Sequence, residues 1–352
     1  MGSPKYAELH CYSPFSFHRG ASSVAQLYDR ASELGLTALA ITDRDGLYAA
    51  VRQWKHRISD VPPLARPIYG AELCLADSSR LVALVRDGRG WRNLCSLISK
   101  GRGGCEKGMS LLTIQQLAEC REGLTFLSGG RSGPIDRILL GLDSSLHMAS
   151  WRPRGPWGRD LGRRDASVTE SAAEDAHVSL VKACDEARLS ALLRSRRDEG
   201  LKARCQRALC QAGELREALG DRFFIEVQDH CLPEDQWLRE RHADISRQLD
   251  VPRVATNMVH YARLEDRCLQ DVLTCIRTGR TLRDAGTGLL PNGHFCLKSA
   301  AQMALRFADD PAALSLSVEL AAECGFDLAD LPYSFPDYPV PDGHSLQSYL
   351  EE

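Results

Sequence analysis

His10 in AELHC, Asp43 in AITDR, Glu72 in YGAELC and His260 in NMVHY set ionisable side chains inside or at the ends of apolar runs. Groups so placed can bind a metal, carry a proton or satisfy one another. Taken singly, each has an ordinary explanation. His10 and His260 read as hydrogen-bonded core histidines, Glu72 as the partner of an arginine, and Asp43 as the N-cap of the helix that follows it. His18, His56 and His294 show no ligand spacing and read as surface or structural groups. Common catalytic motifs are missing. The chain has no G-x-x-x-x-G-K-[ST] phosphate loop and no G-x-S-x-G nucleophile elbow. Gly101-Arg102-Gly103-Gly104 lacks a following nucleotide-binding pattern, and Asp229-His230 is a dipeptide of little specificity.

The elements that must carry these residues alternate. Ser22 and Ser23 can cap a helix with apolar residues at Val24, Leu27, Tyr28, Ala31 and Leu34, and Gly35 stops it. Strands are expected at 37–42, 68–73, 81–85, 124–128, 223–227 and 253–256. Helices are expected at 47–54, 91–98, 111–118, 234–249 and 270–276, with a helical pattern over 300–323 and one or two long helices between 174 and 219. Continuous apolar strands alternating with helices imply an α/β fold, either a covered parallel sheet or a closed barrel. Residues 143–173 break the rhythm. They mix Trp151 and Trp157 with prolines and arginines, which reads as a solvated loop rather than a nucleic-acid surface. The stretch 332–341 is proline-rich and extended.

Composition narrows the class. Lys plus Arg total 44 against 47 Asp plus Glu, a net charge of −3, so the chain is no strong nucleic-acid binder by bulk charge. Thirteen cysteines, an odd number with no C-x-x-C pair, suit reduced core thiols in a cytoplasm better than a disulfide scaffold. No apolar run is long enough to span a bilayer, and none at the N-terminus looks like a signal segment, so no membrane partner is expected.

Several segments, in order, resemble the N-terminal PHP (polymerase and histidinol phosphatase) region of bacterial error-prone DNA polymerase III alpha subunits. They are ELHCYSPFSFHRGAS, LGLTALAITDRDGLYAAV, WRNLCSLIS, GLTFLSGG and VPRVATNMVHYARLEDRCLQDVLTCIRTGRTL, continuing to LLPNGHFCLKS. The resemblance implies an irregular (β/α)7-like PHP barrel followed by a mainly helical C-terminal segment. Residues 1–142 and 176–265 would be its two parts, 143–175 a loop or insertion, and 266–352 a helical approach to a polymerase palm that lies outside this chain. Active members of the family hold a cluster of divalent metals that activate water and clamp a phosphoryl group.

Position by position, most of those ligands are replaced. The first His-x-His motif is His10 and Tyr12, and an expected Asp is Arg19. Thr-Asp-His is Thr42-Asp43-Arg44. Glu72 is kept, the next histidine is Arg80, a common cysteine is Gly130, and Asp-x-His is Met258-Val259-His260. A guanidinium stays protonated and repels a divalent ion. The resemblance therefore implies a vestigial site of His10, Asp43, Glu72 and His260 with Arg19, Arg44 and Arg80 standing where metals stood and pairing with Glu72 and Asp43. No cofactor is expected, and Mg2+ belongs to the palm. The chain would then be a structural scaffold of a damage-associated (SOS-type) translesion polymerase, inactive alone. Its partners would be the palm, fingers and thumb in cis or in trans, DNA through the assembled enzyme, and the sliding clamp and other translesion proteins. No clear sliding-clamp peptide is present. The competing reading is a free-standing phosphoesterase or 3′–5′ exonuclease. In it His10, Glu72 and His260 hold one Zn2+ or Mn2+, Asp43 acts as base and the arginines bind phosphate.

Overall fold

The apolar runs become the strands of one curled sheet in the computed structural model, which describes residues 4–59, 65–106, 109–142, 199–331 and 339–351. The strands are β1 (Ala7–Cys11), β2 (Ala38–Arg44), β3 (Arg66–Cys74), β4 (Arg80–Val85), β5 (Leu124–Leu127), β6 (Phe223–Val227) and β7 (Arg253–Ala255). Their spatial order follows their chain order. Neighbours are parallel except around β4, which runs antiparallel to both β3 and β5. That is the one departure from an all-parallel sheet. Too few residues separate Cys74 from Arg80 for a crossover helix, so the chain turns back on itself.

The helices are α1 (Val24–Glu33), α2 (Ala50–Arg57), α3 (Gly88–Gly103), α4 (Ile114–Glu119), α5 (Pro134–Leu140), α6 (Glu199–Leu219), α7 (Asp235–Leu249), α8 (Arg267–Thr278), α9 (Ala300–Arg306), α10 (Pro311–Glu323) and α11 (Leu346–Glu351). The start of α1 is the expected one. Ser23 caps it in a box with Gln26, and Val24, Leu27, Tyr28 and Ala31 form its buried face. The helical pattern at 300–323 is two helices, because Asp310 caps a new one with Pro311 at its first turn. Of the long helices expected between 174 and 219, α6 falls among the described residues. The tryptophan- and arginine-rich loop and most of the proline-rich 332–341 lie outside them. Among the described residues, no helix is long and apolar enough to cross a membrane.

Side chains alternate across the sheet. Leu39, Tyr69, Leu81, Phe126 and Ile225 pack outward among the helices. Leu9, Ala40, Ile68, Leu84, Phe224 and Val254 fill the concave face together with Leu320, Ala321 and Cys324 of α10. Helix α10 thus plugs the end of the curl where the parallel strands begin. Ala7 N donates to Ser317 Oγ at 3.3 Å, and Arg66 donates to the carbonyls of Ala321 and Cys324. The site lies at the opposite end, where such sheets usually place their chemistry. If α10 belongs to the barrel core, Leu320→Ala should cost about 2–5 kcal/mol in urea unfolding. A loss below about 1 kcal/mol would show that the plug is dispensable.

Candidate functional site

The site begins with an irregularity in β1. Glu8 pairs with Leu39 and Cys11 with Ile41, so Leu9 and His10 together face Ala40. This bulge turns His10 to the concave side along with Leu9. Glu8 fixes the bulge from behind. It accepts from Tyr6 Oη at 2.8 Å, His10 N at 3.0 Å and Asn257 N at 3.2 Å. Burial still pushes its carboxyl up to about 7. Beyond β7 the backbone of Val259 bridges β1, with Val259 N donating to His10 O at 2.8 Å and accepting Tyr12 N at 2.9 Å through its carbonyl. The two sheet edges therefore meet at the mouth of the curl.

Inside that mouth runs a row of alternating charge. His10 Nδ1 lies 2.7 Å from Glu226 Oε1, and His10 Nε2 lies 3.8 Å from Glu72 Oε1. Glu72 Oε2 is in turn 3.4 Å from Arg80 Nη1. Glu72 opposes Val82 and Cys74 opposes Arg80, so Glu72 and Arg80 are diagonal neighbours on one face of the β3–β4 hairpin. Tyr12 donates its hydroxyl to Glu72 Oε1 at 2.6 Å. Both carboxylates and His10 are fully buried. Burial alone would raise the Glu72 carboxyl, but Arg80, then His10 and Arg19, more than reverse this and hold it at about 2. Burial alone would lower His10. Glu226 and then Glu72 overcome it and favour the imidazolium. Glu226 is depressed against its burial mainly by His10, and Thr256 and Gln228 also donate to it.

The other expected site residues stand outside this row, Arg19 and His260 beside it at the mouth. Asp43 pairs with none of Arg19, Arg44 and Arg80 and does not cap the following helix, whose N-cap is Ala49. The loop after β1 wraps it instead. Asp43 accepts from Ser13 N at 2.9 Å and from the hydroxyls of Ser13 and Ser16 at 2.6 Å. Three local donors satisfy the carboxylate before any long side chain has to reach it. Arg44 turns to the rim, with Nε 3.1 Å from Cys74 Sγ and 3.6 Å from Asp45 Oδ2. His260 Nδ1 is 3.1 Å from the carbonyl of Arg19, and its ring meets Tyr12 and Phe295 edge-on. Burial pushes it down to about 3, so it is neutral. Arg19 is lowered to about 9 by burial and then by Arg80 and Arg44. Of the arginines expected to pair with Glu72, Arg80 does so. Among the described residues, no three His, Cys, Asp or Glu side chains converge in a way that could hold a metal ion.

Four participants were not picked out from the sequence. Glu8 and Glu226 were legible in principle, because a lone acid inside AELHC or FFIEV is costly unless partnered. Gln228 and Arg277 carried no local signal. Gly130, at the expected cysteine position, has φ 49°, and a Cβ there would run into the Gln228 amide that donates to Glu226. His56 and His294 are structural, contacting Asp29 at 3.2 Å and Arg306 at 3.1 Å.

A PHP domain model matches residues 8–156. Over 345 residues the sequence is 30% identical to an error-prone DNA polymerase of Pseudomonas fluorescens and 31% identical to one of Pseudomonas aeruginosa, covering 98% of this chain and 26% of each relative. The chain thus spans about a quarter of the length of the curated relatives it matches. Among solved structures, PsfC from Pseudomonas syringae aligns over 74% of this chain and 78% of its own, with 11% identity and a TM-score of 0.37.

The charge row has a direct consequence for stability. Glu72 is depressed, so it stabilises the fold above its ordinary value of 4.5, and that stability is lost as pH falls toward about 2. Arg80→Met should cost roughly 3–5 kcal/mol at pH 7, and adding Glu72→Gln should recover part of it. The penalty should shrink as pH falls, beginning where Glu72 of the variant, no longer held down by Arg80, takes up a proton and ending toward about 2, where the parent's does. A single variant within about 1 kcal/mol of the parent, or a penalty unchanged in acid, would rule out the pair as the organiser of the site.

Proposed function

From a chain that carries a PHP domain homologous to the N-terminal region of error-prone DNA polymerases, we propose a charge-substituted, non-catalytic barrel that braces such a polymerase during damage-tolerant synthesis in the cytoplasm. The observation that carries the reading is the Arg80–Glu72–His10–Glu226 row. A divalent ion beside Glu72 would face the Arg80 guanidinium across about 4 Å. At an effective dielectric near 20 that repulsion is on the order of 8 kcal/mol. His10 Nδ1, Glu72 Oε1 and His260 Nδ1 already have partners in Glu226, Tyr12 and a backbone carbonyl, and the buried His10 Nε2 and Glu72 Oε2, which lack hydrogen bonds, face Glu72 and Arg80. This donor set does not fit the metal cluster of an active PHP site, and no hydrolytic step is derived through one.

A second feature supports the scaffold role. On α8, Leu269, Val272 and Ile276 stand 49%, 40% and 59% exposed at helical spacing, while Gln270, Thr274 and Cys275 face inward. An apolar stripe on a helix that buries its polar side calls for a partner. The relatives are roughly four times this chain's length, so the occupant we assign is the polymerase body of palm, fingers and thumb, in cis or in trans. Nucleotidyl transfer with Mg2+ would belong to that palm, and DNA would be reached through the assembled enzyme.

Purified chain should neither extend a primed template with Mg2+ nor degrade single strands or phosphomonoesters with Mn2+ or Zn2+. Turnover that disappears in His10→Ala or His260→Ala would sink the proposal. Ile276→Asp should leave unfolding within about 0.5 kcal/mol of the parent, yet weaken association with a separately supplied polymerase body at least tenfold. Unchanged association would remove α8 as the docking face.

A further inference from the structure

The charge row engages Arg80 directly but leaves two guanidinium groups at the mouth, among the described residues, without an ion-pair partner of their own. A cavity of about 140 Å3 opens there between the loop after β1 and helix α8, and Arg19, Arg277, Tyr12, Ser132, Gln270 and Thr274 line it. Among the described residues, Arg19 and Arg277 have no carboxylate at ion-pair distance, while Glu72 is engaged by Arg80 and Asp45 by Arg44. Arg277 Nε is buried without a hydrogen-bond partner, and so is Gln270 Oε1. Arg80, Arg44 and Arg277 each make the charge on Arg19 more costly. Two half-buried cations held close together around an open space are costly, and an anion between them removes the cost. Their fork-shaped donors match tetrahedral oxyanions, and Ser132 and Thr274 add hydroxyls that rotate to suit. The volume is ample for one tetrahedral oxyanion.

We propose that this mouth cavity is a metal-independent binding site for a phosphate-class oxyanion, held between Arg19 and Arg277. The inference rests on the charge-substituted reading only in that Arg80 is committed to Glu72. The source can be free phosphate or the terminal phosphate of a nucleic-acid strand, since both present the same dianionic group. A chain with net charge −3 can still concentrate such a group where cations cluster in a low-dielectric cleft.

The test is calorimetric titration of the whole chain with inorganic phosphate in EDTA, repeated with a short oligonucleotide bearing either a 5′-phosphate or a 5′-hydroxyl. Saturable phosphate binding should weaken at least tenfold in Arg277→Gln and in Arg19→Gln, and fall steeply with salt. Arg277→Lys, which keeps the charge and loses the fork, should lie between parent and Arg277→Gln. Thermal melting of each variant separates lost binding from lost folding. Preference for the 5′-phosphorylated strand over free phosphate supports the site and names a strand end as its source. Equal binding of the two strands beside clear phosphate binding supports it with free phosphate as the source. No saturable binding, or the same affinity in both Gln variants, overturns the site and leaves the proposed scaffold role standing. Binding present without chelator and abolished by EDTA overturns both.

Discussion

A carboxylate taken out of water must meet a positive charge or a full set of hydrogen-bond donors, and the mouth of this barrel is organised around how Glu72 meets a charge. The residue is fully buried, with Arg80 on one side, the Tyr12 hydroxyl on another and His10 behind. Glu226 completes the row on the far side of His10. Each member is expensive alone, and the four together are neutral when His10 is protonated. A metal cluster would supply the same counter-charge with ions. Here side chains supply it, and the cation arrives already attached to the fold.

That arrangement depends on backbone as much as on charge. The bulge in β1 turns His10 inward, the Glu8 carboxylate holds the bulge, and Val259 ties β1 to the segment after β7. Gly129, with φ 83°, lets the turn after β5 approach the Arg80 carbonyl, where a Cβ would stand only 1.9 Å away. At the other end of the curl α10 fills the floor with Leu320, Ala321 and Cys324. Backbone geometry and packing thus shape the curl from both ends.

The strands and most helices were legible because apolar period and caps are local signals. Ser23 with Gln26 and the run LVALV needed nothing from the rest of the chain. The Arg80–Glu72 pair was also within reach, since both residues flank one hairpin. Asp43 was misread because two competing readings, a cap and an arginine partner, ignored the serines at 13 and 16 that lie close in space through the loop. Glu226 stayed hidden because its partner is more than two hundred residues away. Arg277 was beyond sequence reasoning, since only the packing of α8 over the mouth brings it toward Arg19.

The account stands or falls on whether side chains or ions neutralise Glu72. Elemental analysis of the chain, purified without chelator and then equilibrated with Mn2+ and Zn2+, addresses this directly. The account predicts well under one ion per chain. One or more tightly held ions, released by Glu72→Gln, would mean that the metal site survives beside the arginines and would contradict the charge-substituted barrel.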